Sequence, residues 1–362
     1  MRTPSRKVLL LMTAVLVVLV AFALYDSTSA PPASSGPWNR AYPYPLQAGG
    51  SAGVVGQSCV ESAGYAYCIG GQDQDGGLTS AVYFAQAASS GVGNWTLSSN
   101  SYPLAVFHQS CAPYSGYVYC VGGARDQDGD DVASSYFASL SPAGVGNWSK
   151  TTSFPIPVDA LSCVASVGDL YCVGGEAESS GTNATTSLND SVWYARLSSS
   201  GIGAWSRGSD YPGGIYFPSC AELASFVYCV GGEDSLQTPE NSTYYAYLTP
   251  SGMGPWTPGP AYPIPSLAVS CGGSDSSLYC VGGFESGGAT TDAVYVSQIS
   301  SSSTLGTWQP VSSYPEAVQT DCVTSAGFLY CIGGFDSSTN GPTGDSYFAL
   351  LNGTAATSSQ SP

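Results

Sequence analysis

Residues 67–71 read Tyr-Cys-Ile-Gly-Gly, and nearly the same five residues return five more times along the chain. A second cysteine always stands nine positions before the cysteine of this stretch, so all twelve cysteines form six equally spaced pairs. The pairs are Cys59/Cys68, Cys111/Cys120, Cys163/Cys172, Cys220/Cys229, Cys271/Cys280 and Cys322/Cys331. The first members of successive pairs lie 52, 52, 57, 51 and 51 residues apart, and such a period indicates a repeat protein.

Each repeat contains four short apolar segments separated by Gly, Pro and Ser. After the two cysteine segments come an alternating segment such as Ala81-Val82-Tyr83-Phe84, a Gly-x-Trp step and an aromatic residue followed by proline. The tryptophans are Trp95, Trp148, Trp205, Trp256 and Trp308, and the aromatic residues before proline are Tyr102, Phe154, Tyr211, Tyr262 and Tyr314. The segments lack helical periodicity, so each is predicted to be a strand, and six four-stranded units predict a β-propeller.

The pattern Tyr-Cys-Val-Gly-Gly, then a spaced aromatic residue, then Trp, resembles the kelch repeat, in which a Gly doublet, a Tyr and a Trp mark each blade. The resemblance covers residues 37 to about 350 and recurs six times. It implies an all-β, six-bladed kelch-like propeller of the galactose-oxidase type. It does not imply one function, because kelch-like propellers include enzymes and binding modules.

The two ends of the repeat region are predicted to complete one blade together. The segment Gly36-Pro37-Trp38, followed by Tyr42-Pro43, matches a fourth strand, but no earlier strands of a blade precede it. Residues 346–350 match a third strand with no Trp strand after it. We therefore expect the N-terminal strand at Trp38 to close the last blade, which begins at Cys322.

Each cysteine pair is predicted to form a disulfide across a β-hairpin. Eight residues separate the cysteines, and Gly stands second in the central dipeptide of four hairpins, as a tight turn favours. Counting outward from such a turn places the cysteines at a non-hydrogen-bonded pair, with Cα atoms ~4.5 Å apart, within disulfide reach. Twelve buried thiols are the alternative, and zinc is disfavoured because the chain has no Cys-x-x-Cys and one histidine.

The N-terminus is predicted to direct the propeller out of the cytoplasm. Residues 1–7 form a basic cytoplasmic n-region, and residues 8–25 are apolar for ~27 Å if helical, which favours a transmembrane signal anchor over a cleaved signal peptide. A Pro/Ser linker (26–36) precedes the propeller (37–350), and a Ser/Thr-rich tail (351–362) follows it. The protein is thus expected to be membrane-anchored through residues 8–25, or secreted if the leader is cleaved.

Six N-glycosylation sequons agree with export and are predicted acceptors on the outside of the cell. Their asparagines are Asn94, Asn147, Asn183, Asn189, Asn241 and Asn352.

The charge balance excludes nucleic acid as a partner. The chain has 8 Lys and Arg against 25 Asp and Glu, a formal net charge of −17, so it lacks the basic surface that nucleic acid requires. An extracellular partner is expected to be neutral or cationic.

Acidic residues gather in the loops after the Gly pairs and predict one negative face of the ring. Solvated loop carboxylates are the simplest interpretation. The alternative is calcium, because Asp126, Asp128 and Asp130 alternate oxygen donors around a Gly, and Asp73-Gln74-Asp75-Gly76 is a weaker copy. No other cofactor is expected.

The signals for catalysis are weak. A copper oxidase of the kelch-like class uses more than one His ligand, but His108 is the only histidine. A sialidase needs an Arg cluster, whereas the arginines of the exported region, Arg40, Arg125, Arg196 and Arg207, are scattered. A kelch-type sugar-acid mutarotase remains an alternative, with Glu and His108 as acid and base. A satisfied histidine near the channel is the favoured interpretation of His108.

The sequence therefore favours a cell-surface binding, adhesion or scaffold protein that displays loops of a rigid ring to a glycan or protein. A carbohydrate-active enzyme at the channel mouth is the alternative. The repeated aromatic residues are assigned to packing, and the non-repeated Phe107, Tyr216, Phe217 and Phe284 are candidates for ligand contact.

Overall fold

The structure is a computed structural model that describes residues 37–45, 53–125, 130–178, 186–274 and 276–351. These residues form strands, turns and connecting segments, with no helix among them. In chain order the strands are β1 (Trp38–Arg40), β2 (Ser58–Ser62), β3 (Tyr65–Ile69), β4 (Val82–Ala88), β5 (Gly91–Val92), β6 (Thr96–Leu97), β7 (Ser110–Tyr114), β8 (Tyr117–Val121), β9 (Ser135–Ser141), β10 (Gly144–Val145), β11 (Ser149–Lys150), β12 (Ser162–Ser166), β13 (Asp169–Val173), β14 (Glu176–Glu178), β15 (Thr186–Leu188), β16 (Val192–Ser198), β17 (Gly201–Ile202), β18 (Ser206–Arg207), β19 (Ser219–Leu223), β20 (Phe226–Val230), β21 (Thr243–Thr249), β22 (Gly252–Met253), β23 (Thr257–Pro258), β24 (Ser270–Ser274), β25 (Ser277–Val281), β26 (Val294–Gln298), β27 (Gln309–Pro310), β28 (Gln319–Ser325), β29 (Phe328–Asp336) and β30 (Gly341–Leu350).

All strands except β14 and β15 form six antiparallel sheets, one for each predicted blade. Blade 1 contains β2–β6, blade 2 β7–β11, blade 3 β12, β13 and β16–β18, blade 4 β19–β23, blade 5 β24–β27, and blade 6 β28–β30 with β1. The first strand of each blade contacts the first strand of the next, and β28 of blade 6 contacts β2 of blade 1. The inner strands therefore close into a ring, and the predicted six-bladed propeller is confirmed.

The apolar core lies between the blades. Six clusters of buried side chains fill the six interfaces between neighbouring blades. In one of them, Val60 and Tyr67 of blade 1 pack with Val118 and Ala138 of blade 2. Because each blade buries both of its faces, the ring holds together through these interfaces.

Blade 6 is closed by the N-terminal strand, as predicted. Strand β1 pairs with β30, with Trp38 opposite Ala349. The aromatic–Pro step of this strand is Tyr44-Pro45, however, and not the predicted Tyr42-Pro43. Tyr44 is the residue that packs edge-on against Trp95, with ring centroids 5.1 Å apart. Tyr44 follows Trp38 at the same spacing as Tyr262 follows Trp256. The sequence prediction chose the wrong step because two Tyr-Pro dipeptides, at residues 42–43 and 44–45, stand side by side.

All six predicted disulfides are present, and none of the twelve cysteines is free. Each bond joins the first strand of a blade to the second. The bonds are Cys59–Cys68, Cys111–Cys120, Cys163–Cys172, Cys220–Cys229, Cys271–Cys280 and Cys322–Cys331. Six disulfides indicate an oxidising location outside the cytoplasm.

The hairpins that carry these disulfides are tighter than expected. The paired Cα atoms lie 4.0 or 4.1 Å apart, slightly closer than the predicted separation. In the blade 1 hairpin both central residues have positive φ, 52° at Ala63 and 80° at Gly64, which is the type I′ pattern. The sequence prediction of a tight two-residue turn is therefore confirmed in this hairpin.

The repeated tyrosines tie five of the six blades to the next, as the assignment to packing required. The hydroxyl of the Tyr before the second cysteine donates to a backbone carbonyl in the outer turn of the following blade. These bonds are Tyr67 to Ser141 (2.9 Å), Tyr119 to Ser198 (2.8 Å), Tyr171 to Thr249 (2.5 Å), Tyr228 to Ser303 (2.9 Å) and Tyr330 to Ala88 (2.8 Å).

The repeated tryptophans tie each blade to the previous one. Each packs edge-on against the aromatic residue of the preceding aromatic–Pro step, as Trp256 does against Tyr211 with centroids 5.0 Å apart. Five indole N–H groups donate to the carbonyl two residues before that aromatic residue. The bonds are Trp38 to Ser312, Trp95 to Tyr42, Trp205 to Thr152, Trp256 to Ser209 and Trp308 to Pro260.

One element of blade 3 was not predicted. Strands β14 and β15 form an additional two-stranded sheet, in which Glu176 is opposite Leu188. It accounts for the single longer spacing, 57 residues, between Cys163 and Cys220.

Candidate functional site

A ring of backbone hydrogen bonds marks one end of the channel, just before the inner strands begin. The residue three positions before the first cysteine has positive φ in each of blades 1–5 and lies next to its counterpart in the neighbouring blade. The N–H groups of His108, Ala160, Phe217 and Ala268 donate to the carbonyls of Gly56, His108, Ala160 and Phe217, respectively, at 2.8–3.2 Å. We call this end of the channel, with the residues at these positions, the mouth.

Two aromatic side chains stand at the mouth because their neighbours are small. The imidazole of His108 lies over Gly56, where a Cβ atom would come within 2.6 Å of His108 Cδ2. The ring of Phe217 meets His108 edge-on, with centroids 4.6 Å apart, across the short side chain of Ala160. Phe107 packs beneath His108 at 4.1 Å, and both His108 and Phe217 remain partly exposed.

Buried carboxylates lie directly behind these rings. Asp159 and Glu176 of blade 3 exchange backbone hydrogen bonds, as do Tyr216 and Glu233 of blade 4. Burial raises the pKa of Tyr216 well above its usual value, and the negative charges of Asp159, Glu176, Asp131 and Glu233 raise it further. These four carboxylates therefore act on the Tyr216 hydroxyl and give the mouth a negative potential on the side of blades 2–4.

Two of these carboxylates correct the sequence interpretation. Glu176 and Glu233 directly follow the Gly pairs of blades 3 and 4, where the sequence predicts solvated loop carboxylates, but both are buried. Each lies opposite the segment that enters the inner strand of its own blade, which covers it from solvent.

His108 is held by the carboxylate of Asp159. Its Nδ1 atom lies 3.4 Å from Asp159 Oδ2, and Asp159 is fully buried while the imidazole is 18% exposed. A carboxylate beside Nδ1 favours the tautomer that carries its proton there, so Nε2 becomes the proton acceptor. His108 was expected to be a satisfied histidine near the channel, and it is, but with an acid as its partner.

The other candidates for ligand contact divide into two groups. Tyr216 packs on Phe217 at 4.3 Å, so both belong with His108 and Phe107 at the mouth. Phe284 of blade 5 packs instead on Phe335 of blade 6, at 5.7 Å.

The cysteines belong to the scaffold and not to an accessible site. The second cysteine of each pair is at most 1% exposed, because the second strand of a blade is covered by the neighbouring blades on both faces. These fully buried cysteines are Cys68, Cys120, Cys172, Cys229, Cys280 and Cys331. The alternative of twelve buried thiols is therefore wrong, since every cysteine is in a disulfide, although the cysteines at these six positions are buried. None of these sulfurs is available to a ligand or a metal ion.

The arginines of the described chain form no cluster. Each one lies beside an aspartate: Arg40 with Asp345, Arg125 with Asp130, Arg196 with Asp169 and Arg207 with Asp210. The expectation that they do not build a clamp for an anionic ligand agrees with this arrangement.

The calcium hypothesis falls mostly on residues outside the described part of the chain. Asp126 and Asp128 lie there, and Asp130 is exposed with its carboxylate 3.6 Å from Arg125. In the weaker copy, Asp73 Oδ1 accepts the N–H groups of Asp75 and Gly77 at 3.0 and 2.7 Å, which is the role of a turn-capping residue. Among the described residues no cluster of His, Cys, Asp or Glu has the arrangement of a metal site.

The sequons differ in accessibility. Asn94 and Asn147 are exposed near the outer strands of blades 1 and 2, and Asn241 is half-buried. The Asn189 side chain accepts the N–H of Ser191 at 3.0 Å. Asn183 and Asn352 lie outside the described residues, as do the n-region, the apolar segment 8–25 and the linker. Where the chain is described, it contains no helix long and apolar enough to cross a membrane.

The sequence analysis missed Asp159, although the alignment of the repeats contains a signal for it. When the six repeats are aligned on the first cysteine, Asp159 occupies a position that is Val55, Phe107, Tyr216, Leu267 and Val318 in the other blades. A single acid in an otherwise apolar column marks Asp159 as exceptional.

Comparison with known proteins supports the fold alone. No protein-family model matches the chain, and no curated protein matches its sequence. The solved structures similar to it include one titled "Structure of YjhT", with a TM-score of 0.69. That likeness covers 87% of this chain and 98% of the other at 13% sequence identity, so it indicates a shared propeller architecture.

Proposed function

We propose that this protein is an extracytoplasmic binding protein, a kelch-type propeller stapled by disulfides, that recognises a glycan or protein at the mouth. The contrast between repeated and non-repeated residues carries the proposal. The repeated Tyr, Trp and Cys residues are committed to packing between or within blades. At the mouth, by contrast, the side chain changes from blade to blade, from Gly56 to His108, Ala160 and Phe217.

The exposed rings and the negative charge of the mouth favour a ligand with a neutral or cationic group. The partly exposed rings of His108 and Phe217 offer an apolar and stacking surface, and sugars and cationic side chains both bind such rings. The carboxylates around Tyr216 oppose an anion at the same place. A neutral glycan or a Lys- or Arg-bearing protein segment therefore fits better than a sugar acid.

The test is a glycan array with the full chain, followed by titration of hits with the variants H108A and F217A. Alanine already occupies the same positive-φ position at Ala160 and Ala268, so both variants are expected to fold. We expect each to weaken binding at least ~10-fold, the contribution of about 1.4 kcal/mol from one stacked ring. L97A, which removes an exposed side chain from the outer strand of blade 1, is the matched control. Wild-type affinity in both mouth variants would contradict the proposal.

A carbohydrate-active enzyme is the second candidate, favoured by the His108–Asp159 pair. Interconversion of sugar anomers needs one group to take the anomeric hydroxyl proton and another to protonate the ring oxygen as its bond to carbon breaks. His108 Nε2 is placed to accept a proton, and a neighbouring acid would return it. Product analysis by NMR decides, because an enzyme accelerates anomer exchange and H108A abolishes that acceleration, whereas a binding protein leaves the rate unchanged.

The setting of the protein is part of the proposal. Residues 8–25 would anchor the propeller at the outer surface of the membrane, and Asn94 and Asn147 would be its accessible glycosylation sites. Calcium at Asp126, Asp128 and Asp130 remains a prediction that calorimetry with millimolar calcium chloride checks. Heat of binding that disappears in D128N would support it, and no heat would dismiss it.

A further inference from the structure

A belt of hydrogen bonds surrounds the channel at the level of the first cysteines. Because each disulfide joins a non-hydrogen-bonded strand pair, the N–H of the first cysteine points away from its partner strand and needs another acceptor. In five blades the acceptor is the hydroxyl of the serine that precedes the first cysteine of the previous blade. These bonds run from Cys111 to Ser58, Cys163 to Ser110, Cys220 to Ser162, Cys271 to Ser219 and Cys322 to Ser270, at 2.8–3.1 Å.

Blade 6 carries a carboxyl group where the others carry this serine. The N–H of Cys59 in blade 1 donates to Asp321 Oδ2 at 2.6 Å, and this bond lies where blade 6 meets blade 1. Burial raises the pKa of Asp321 to about 7, although the backbone N–H groups of Cys59 and Cys322 favour its ionised form. These two N–H groups are the neighbours that act on Asp321 within the described chain.

The same blade contains a second unusual carboxyl group. Glu316 follows the aromatic–Pro step, at the position of Leu104, Ile156 and Ile264 in other repeats. It accepts a hydrogen bond from the Tyr347 hydroxyl at 2.8 Å and shares another with Asp345.

These groups connect Glu316 to the N-terminal strand. Arg40 of β1 forms an ion pair with Asp345 of β30, so strand β1 is fastened to the carboxyl pair. Burial raises the pKa of Glu316 to about 7, with Asp345 raising it and Tyr347 and Arg40 lowering it. Tyr314 is a further titratable neighbour: burial raises the pKa of its hydroxyl well above the usual value, and Glu316 raises it further.

We propose that blade 6 is a proton-dependent clasp, in which protonated Glu316 and Asp321 hold the ring closed and their ionisation loosens it. The adjacent carboxylates of Glu316 and Asp345 would then compete for Arg40, and the seam with blade 1 would contain a partly buried charge. Both carboxyl groups lie in the one blade that is built from the two ends of the chain. The clasp is independent of any ligand at the mouth.

The direction of the pH dependence follows from the raised pKa values. Both carboxyl groups bind protons more tightly in the folded protein than in the unfolded chain, so folding is favoured by acid. This stabilisation is complete below the unfolded pKa values near ~4, declines as the pH rises, and is lost above the folded values of about 7.

The test is the melting temperature of the full chain, in mild detergent, from pH 4 to pH 9. We expect it to fall between pH 4 and pH 7 and then to level off. D321S restores the serine found in the other five blades, and E316Q keeps a hydrogen-bonding group without the titration. Each variant should remove part of the fall, and the double variant most of it.

A matched control separates the clasp from general charge repulsion. D292N removes one exposed negative charge of blade 5, at a residue whose backbone carbonyl accepts the N–H of Tyr314, and should keep the wild-type profile. If E316Q misfolds, E316L, with the residue type found at Leu104, replaces it. A flat wild-type profile, or variants that retain the slope of D292N, would overturn the clasp.

Hydrogen exchange locates the loosening. After correction for the intrinsic pH dependence of exchange, protection of β1 should fall at least ~10-fold from pH 5 to pH 8, more than that of the matched outer strand β18. In E316Q the two strands should change equally. Equal changes in the wild-type protein would also overturn the clasp.

Discussion

At the scale of single residues, the structure distinguishes two kinds of buried tyrosine hydroxyl. Tyr228 donates to the carbonyl of Ser303 in the next blade. The hydroxyl of Tyr262 is buried and has no hydrogen-bond partner among the residues that the structure describes, although its ring packs edge-on against Trp308. Phe154, which follows the outer strand of blade 2, occupies the position of Tyr262, which shows that the hydroxyl is dispensable there.

Substitution by phenylalanine should therefore give opposite results at the two sites. Y228F is expected to lower the free energy of unfolding by about 1 kcal/mol, because a buried carbonyl loses its donor. Y262F should leave the free energy of unfolding unchanged or raise it slightly, since the substitution removes a buried hydroxyl whose desolvation is not offset by a hydrogen bond. Denaturant unfolding of the two variants beside the wild type checks this, and equal losses would contradict it.

Residue roles at the mouth could be predicted only in part. Phe107, Tyr216 and Phe217 stand out in the sequence because they do not repeat, and the structure brings them together with His108. The burial of Glu176 could not be predicted, since a loop position on a Gly-rich turn reads as exposed until the facing segment is known.

At the scale of elements, the disulfide hairpin is the unit whose geometry follows most directly from sequence. Spacing and turn chemistry fix both the strand pair and its register, so Cys163 lies opposite Cys172 as expected. The additional hairpin β14–β15 did not follow from the repeat, because an insertion has no counterpart in the other blades with which to compare its pattern.

Removal of one disulfide should act locally and by a bounded amount. Closing a ten-residue loop contributes up to ~2.7 kcal/mol by chain entropy, so C163A/C172A should lower the melting temperature without unfolding the ring. C220A/C229A, in the next blade, is the matched comparison and should lose a similar amount. Thiol titration under denaturing, non-reducing conditions should find no free thiol in the wild type, and several would refute the framework.

At the scale of the whole molecule, the seams between blades share the same edge-on Trp packing, but the chain is interrupted within blade 6. The Tyr330 bond to Ala88 repeats at the seam of blades 6 and 1 the tie that Tyr228 makes between blades 4 and 5. The order of the blades along the chain is thus less important to the ring than the contacts between them.

A circular permutant tests this equivalence directly. Strands β30 and β1 pair in the register of β4 and β6, so the six residues of blade 1, Ala88–Gly93, are the length needed to join Leu351 to Pro37. New ends between Ser301 and Ser302, in an exposed turn of blade 5, reproduce the natural interruption one blade earlier. We expect the permutant to melt within a few degrees of the parent, because every seam keeps its edge-on Trp packing. Its pH profile should still depend on Glu316 and Asp321, since the clasp resides in these carboxyl groups and not in the position of the chain ends. A permutant that fails to fold would show instead that blade 6 must be assembled from both ends of the chain.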